Sequence, residues 1–267
     1  MLSARSYLLP ASLAIFVWLG GCAGQPQVDE RERLLDLAAD VEAQGDAVTA
    51  AAMYERAAEM SPDDPSVALR LGNARLASND FSGAAKAFRA VLADDIDHPE
   101  ALLGLGTAQL RQGETEVAAR NLGRAAMRLN QRTAWTRLGI AEAMLGDGEQ
   151  AAQAFTHALA LAPNDPDAQT NLALAESLAG DQQRALARMQ QVCDSPLAES
   201  RHYRNLLLVM VLAGQAKAAR YVEIPDLPAA QRKALIERAG EIRRITDPSQ
   251  RARAMGLVAG PSSGDPV

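Results

Sequence analysis

The chain is poor in the groups that usually carry chemistry. Of its 267 residues only 4% are aromatic, three are histidine and two are cysteine. With so few rings, a core must be built from Leu, Ala and Val, which demands close approach of backbones. His98, His157 and His202 stand far apart in sequence, at a junction, a helix face and a helix start. They read as surface residues, and no metal site is expected from them. No phosphate-cradling loop is present, because Gly104-Leu105-Gly106 lacks a third glycine. The acidic residues fall mainly at turns and polar helix faces, where carboxylates serve as caps and solvated charge. No catalytic residues, cofactor or small-molecule substrate are expected, and the chain reads as a non-enzyme.

Long apolar runs are also scarce. The one at the start, Tyr7 to Leu19, follows Arg5, is too short to span a bilayer and is closed by small residues. That is the form of a cleaved leader, residues 1–21. The tetrad Leu19-Gly20-Gly21-Cys22 resembles the lipobox of bacterial lipoproteins. The resemblance implies that Cys22 is lipidated and begins the mature chain, with residues 22–30 as a tether. It also implies an outer-membrane lipoprotein facing the periplasm, since Ala23 is not the acidic residue of an inner-membrane retention signal. The alternative is an ordinary leader with an incidental cysteine. Several acyl chains would anchor firmly, at about 0.8 kcal/mol per buried methylene. If Cys22 is acylated, Cys193 has no disulfide partner, and it reads as a small buried hydrophobe.

What the chain has in abundance is periodicity. Leucines recur at Leu37, Leu71, Leu105, Leu138, Leu172 and Leu206, and alanines at Ala50, Ala84, Ala118, Ala151, Ala185 and Ala219. Both ladders step by about one third of a hundred residues, the period of helix-turn-helix arrays. Between them runs a turn ladder of Gly45, Asn79, Gly113, Gly146, Gly180 and Gly214, where Gly or Asn tolerates positive φ. Repeats then start at Arg31, Pro65, Pro99, Arg132, Pro166 and about Ser200. Their second helices hold Tyr54, Phe88, Leu122, Phe155 and Met189 at one position, and Ala57, Val91, Ala125, Ala158 and Val192 three residues on. The position after the ladder leucine stays small: Ala38, Gly72, Gly106, Gly139 and Ala173. Small residues admit a close partner helix, and the leucine and the large residue fill the space between repeats.

These positions resemble the tetratricopeptide repeat (TPR) pattern. The implied fold is all-α: a right-handed α-α superhelix of about five full repeats, a degenerate sixth and a C-terminal capping helix. The array is expected over residues 31–222 and the cap over 223–246. Within the cap, Leu235, Ala239, Ile242 and Ile245 share one face. Residues 247–267 are expected to be a mostly disordered tail. One 33-residue step lies near Asn130-Gln131-Arg132, where a turn has lost a residue and both helices should survive.

Such arrays offer a concave groove lined by first-helix side chains. The fifth and ninth positions of each repeat should face it: Leu69 and Asn73, Leu103 and Thr107, Thr136 and Ile140, Thr170 and Leu174. Leu110 and Arg111 would extend that face by a turn. A mildly apolar groove with Asn and Thr suits a segment of another protein, although some of these leucines could simply pack between repeats. Residues 201–267 carry eleven Lys and Arg against six Asp and Glu, net +5, within a chain of net −6, so the rest is −11. An acidic body argues against nucleic acid. The basic end could meet an acidic partner or lipid headgroups, or be a solvated cap face.

Near the C-terminus, Arg204-Asn205-Leu206-Leu207-Leu208-Val209, then Leu212-Ala213-Gly214, then Asp226-Leu227-Pro228 is similar to the closing stretch of the TadD lipoproteins of the Tad (tight adherence, Flp) pilus apparatus. Leu207 stands where that family has alanine. The resemblance implies a scaffold that assists assembly of the pilus secretin, with the secretin or other Tad components as partners and the membrane met through the lipid anchor. Alternatives are a type IV pilotin or another cell-envelope scaffold, such as a peptidoglycan-synthase adaptor, or a periplasmic chaperone or protease cofactor binding polypeptide clients.

Overall fold

The computed structural model describes residues 26–257 except 226. The leader, Cys22 and the last ten residues therefore lie outside the described residues. Among those described, the secondary structure is entirely helical. Five helix pairs follow one another: α1 Pro26–Ala43 with α2 Ala47–Met60, α3 Pro65–Ala77 with α4 Phe81–Asp94, and α5 Pro99–Gln112 with α6 Thr115–Leu129. Then come α7 Arg132–Leu145 with α8 Gly148–Leu161, and α9 Pro166–Leu178 with α10 Gln182–Cys193. The sixth unit has a full α11 (Ser200–Leu212) but only a single turn for α12 (Ala216–Ala219). After it stand α13 (Ala229–Arg244) and α14 (Pro248–Met255).

Local chemistry sets these boundaries. Proline occupies the first turn of α3, α5 and α9, where its missing N–H is no loss. Asp46, Asp80, Asp147 and Asp181 cap α2, α4, α8 and α10 by accepting the backbone N–H of the third helical residue. The preceding turn residue has positive φ in all six repeats, from 62° at Asn79 to 92° at Gly180. Asn130 adopts the same left-handed conformation at the end of α6, so two residues connect α6 to α7 where four connect α4 to α5. That is how the shortened repeat keeps both helices.

From α1 to α10 each helix packs chiefly on its immediate neighbours in the chain, the arrangement of a solenoid. All six ladder alanines are fully buried, and so are Tyr54, Phe88, Leu122, Phe155 and Met189. The small positions are small because a ring lies against them. A Cβ on Gly72 would stand 2.6 Å from Phe88, and one on Gly139 would stand 2.8 Å from Phe155. Leu71, Leu105, Leu172 and Leu206 are buried against the preceding repeat, but Leu37 is 51% exposed. Leu37 breaks the expectation for its ladder because no repeat precedes it among the described residues.

Three further expectations change. The first helix begins at Pro26, within the stretch read as tether, because proline is as acceptable at the start of this helix as at the others. Residues 248–255 of the expected tail form α14, which packs on α7 and α9. His202 is buried rather than at the surface. Its Nδ1 accepts the backbone N–H of Glu199 at 2.8 Å, and its Nε2 lies 3.0 Å from Asp167 of the preceding repeat. The cap itself is found where expected: α13 lies on α11, with Ala239 and Ile242 buried.

Candidate functional site

Successive first helices (α3, α5, α7, α9 and α11) touch one another more extensively than successive second helices do. The first helices therefore line the inner, concave side of the array. The groove they form is divided into two halves with different states.

The N-terminal half is open. Leu69 and Asn73 on α3, and Leu103 and Thr107 on α5, are all half-buried, the two leucines resting partly on the apolar clusters beside them. The polar groups there are already tied. Thr107 donates its hydroxyl to the Leu103 carbonyl at 2.6 Å and accepts from Arg137 Nη1 of α7 at 2.9 Å. Arg111 is exposed at the end of α5, with its guanidinium 4.6 Å over the Phe81 ring and Nη2 donating to Asn79 Oδ1 at 3.4 Å. Arg137 is a groove cation that position counting did not select, because it sits at the sixth place of its repeat rather than the fifth or ninth.

The C-terminal half is filled by the chain itself. Thr136 is half-buried, but Ile140, Thr170 and Leu174 are buried, which corrects the expectation that they present a free surface. Ile140 and Leu174 join one continuous apolar cluster with Ala252 and Met255 of α14 and with Leu257 just beyond it, and Leu110 packs against the same cluster. The first residue of α14 closes over the end of α7, where a Cβ on Gly146 would stand 2.9 Å from Pro248 Cβ. Thr170 satisfies its hydroxyl internally, donating to the Pro166 carbonyl at 2.7 Å.

The boundary signals of α14 are present in the sequence. Asp247 caps it, accepting from the Gln250 N–H at 2.7 Å, Pro248 follows the cap, and Gly256 ends it with φ of 83°. Its apolar content is only Ala252, Met255 and the following Leu257, too little to stand out by periodicity.

Burial and the neighbouring Asp194 push the Cys193 thiol up to about 11, far from the range of a reactive thiolate. Among the described residues no cluster of His, Cys, Asp or Glu could hold a metal ion, and no helix is long and apolar enough to cross a membrane.

Known proteins agree with this architecture. The chain shares its fold with MamA at TM-score 0.52 and 22% identity, covering 66% of this chain and 92% of MamA. With the pilF protein of Pseudomonas aeruginosa the TM-score is 0.59 at 16% identity, covering 86% of this chain and 99% of the other. With a tetratricopeptide repeat protein of Parabacteroides merdae it is 0.64 at 16% identity, covering 87% and 100%. At such identities the likeness concerns the fold alone. No curated protein matches in sequence. Models of the tetratricopeptide repeat match residues 42–95, 69–132, 103–166 and 136–198, a continuous stretch over more than half of the sequence. With its turn ladder, buried alanines and stacked helix pairs, the chain belongs to the tetratricopeptide repeat family.

Proposed function

We propose that this chain is a lipid-anchored scaffold of the bacterial cell envelope, which holds a segment of another protein in the open half of its groove. The observation that carries the reading is the accessible first-helix ridge of Leu69, Asn73, Leu103 and Thr107, beside a second half already occupied by α14. Repeats of this family serve as interaction surfaces rather than as reaction sites, and both family models that match are of this repeat. The anchor rests on the lipobox-like Leu19-Gly20-Gly21-Cys22, and the pilus assignment on the TadD-like residues 204–209, 212–214 and 226–228. On this reading the partner is the pilus secretin or another Tad component, met at the periplasmic face of the outer membrane.

Two experiments test it. Cys22→Ser should release the folded protein into the soluble fraction, and a variant that stays with the membrane would end the anchor reading. Leu69→Glu with Leu103→Glu places two charges on the open ridge without touching the filled half. The pair should abolish co-purification of the secretin while leaving the helical circular dichroism unchanged. Undiminished recovery of the secretin by this variant would show that the open ridge is not the binding face.

A further inference from the structure

The fourth and fifth repeats carry the same carboxylate in different company. Glu142 on α7 and Glu176 on α9 are equivalent residues, one repeat apart, each a turn beyond a ladder leucine (Leu138 and Leu172). Glu176 is only 3% exposed. It is held by Arg188 of α10 through two parallel bonds, Nε to Oε2 at 3.0 Å and Nη2 to Oε1 at 2.8 Å, with Arg184 Nε at 4.0 Å. This is the bidentate fork that matches a planar cation to a carboxylate. One repeat earlier both arginines are missing: Gln150 stands for Arg184, and Ala154 for Arg188. Among the described residues Glu142 has no side-chain hydrogen bond or ion pair. Burial, then the charge of Asp147, push its carboxyl above the usual range.

The space an arginine would fill is open. A cavity of about 250 Å³ lies at this junction, lined by Met127, Trp135, Leu138, Glu142, Ala154 and His157 among others. Trp135 and His157 form one wall, their rings stacked at 4.2 Å and 17°, and Asn130 Oδ1 fixes the indole by accepting from Nε1 at 3.0 Å. Gly123 leaves the ladder leucine uncovered: its Cβ would lie 3.9 Å from Leu138, which is only half-buried while Leu71, Leu105, Leu172 and Leu206 are buried. Met127 is 70% exposed. Leu138 and Glu142 lie about half a turn around α7 from Thr136 and Ile140, so the cavity opens on a different face from the concave groove.

We propose that this cavity is a receptor for an arginine side chain of a partner protein, whose guanidinium binds the Glu142 carboxylate as Arg188 binds Glu176. The aliphatic stem lies on Leu138, and the planar cation meets the Trp135–His157 stack. Arginine fits better than lysine because both features favour a flat, forked cation. The site stands apart from the groove and does not depend on what binds there.

The test has an internal and an external arm, both on the full chain. Ala154→Arg restores the fifth-repeat arrangement inside the fourth. It should raise the melting temperature, and Glu142→Gln in the same chain should remove that gain, whereas Ala154→Met should bring none. In the external arm, a blocked tripeptide with one central arginine is titrated in a Trp18→Phe background, so that fluorescence reports Trp135 alone. Against the same peptide with citrulline, binding should be about ten-fold tighter, and Glu142→Gln should erase the difference. Lysine should fall between them. Equal binding of the three peptides, no binding at millimolar concentration, or indifference to Glu142→Gln would overturn the proposal. If Ala154→Arg does not fold, the peptide arm decides alone.

Discussion

Gly104→Ala should unfold well below the parent protein, although it adds one methyl group to a helix that ought to welcome it. The new Cβ would stand 2.2 Å from Phe88 Cζ and 2.5 Å from both Cε atoms. Phe88 is fully buried and cannot retreat, because Gly72 faces the same ring from the preceding first helix. The strain must therefore be relieved by moving α5 away from α4. Overpacking of this kind costs about 1–3 kcal/mol, and replacing an interior glycine recovers at most about 1 kcal/mol of helix propensity. At the upper end of that cost, a net loss of about 2 kcal/mol lowers Tm by roughly 4–8 °C in a chain of this size. Gly240→Ala is the control. Nothing lies within 4 Å of the added methyl, so this variant should be more stable than the parent by up to about 1 kcal/mol. Thermal denaturation followed by circular dichroism separates the two, and equal stability of both variants would show that the ring does not set the α4–α5 spacing.

Ending the chain after Thr246 should loosen the fourth and fifth repeats and leave the second untouched. The truncation removes Ala252, Met255 and Leu257, all buried, and uncovers Ile140 and Leu174. Fully burying a Met or Leu side chain stabilises by about 1.5–3 kcal/mol, part of which is offset by the entropy of ordering eleven residues from 247 to 257. Amide exchange should rise in α7 and α9, where α14 rests, and stay unchanged in α3 and α4, since a solenoid transmits packing only between neighbours. An apolar dye should bind the truncated protein more strongly than the parent. A synthetic peptide of residues 245–257 should reverse both effects. Exchange that is unaltered in α7, or raised evenly along the array, would mean that α14 does not seal the groove.

The helix pairs were legible because they depend on neighbours in sequence. The expected starts Pro65, Pro99, Arg132, Pro166 and Ser200 are the first residues of α3, α5, α7, α9 and α11. The turn ladder appeared where positive φ is required, and the large second-helix residues are buried as their spacing implied. Leu37 departs from its ladder because a sequence position records what a residue is, not whether a repeat stands before it. His202 is buried through Asp167 one repeat back, a tertiary contact that the sequence does not announce. Gly104 carries no repeat signal of its own, because the corresponding positions hold Arg70, Arg137 and Asn171.

The groove was harder to read. Counting positions selected the side of each first helix that faces inward, but could not tell an open stretch from a covered one. Leu69 and Leu174 occupy the same face of their repeats; one is half-buried, and the other is buried in the cluster that α14 completes. In the same way Glu142 and Glu176 are identical as letters, and differ by whether an arginine reaches them.

Side-chain size at a fixed interval was enough to specify the stacked helix pairs, since close approach of backbones is a local demand repeated six times. Which part of the inner face remains accessible, and which carboxylate lacks a cation, depended on segments distant in sequence coming together. Those contacts are long-range and obey no period, so they became visible only in three dimensions.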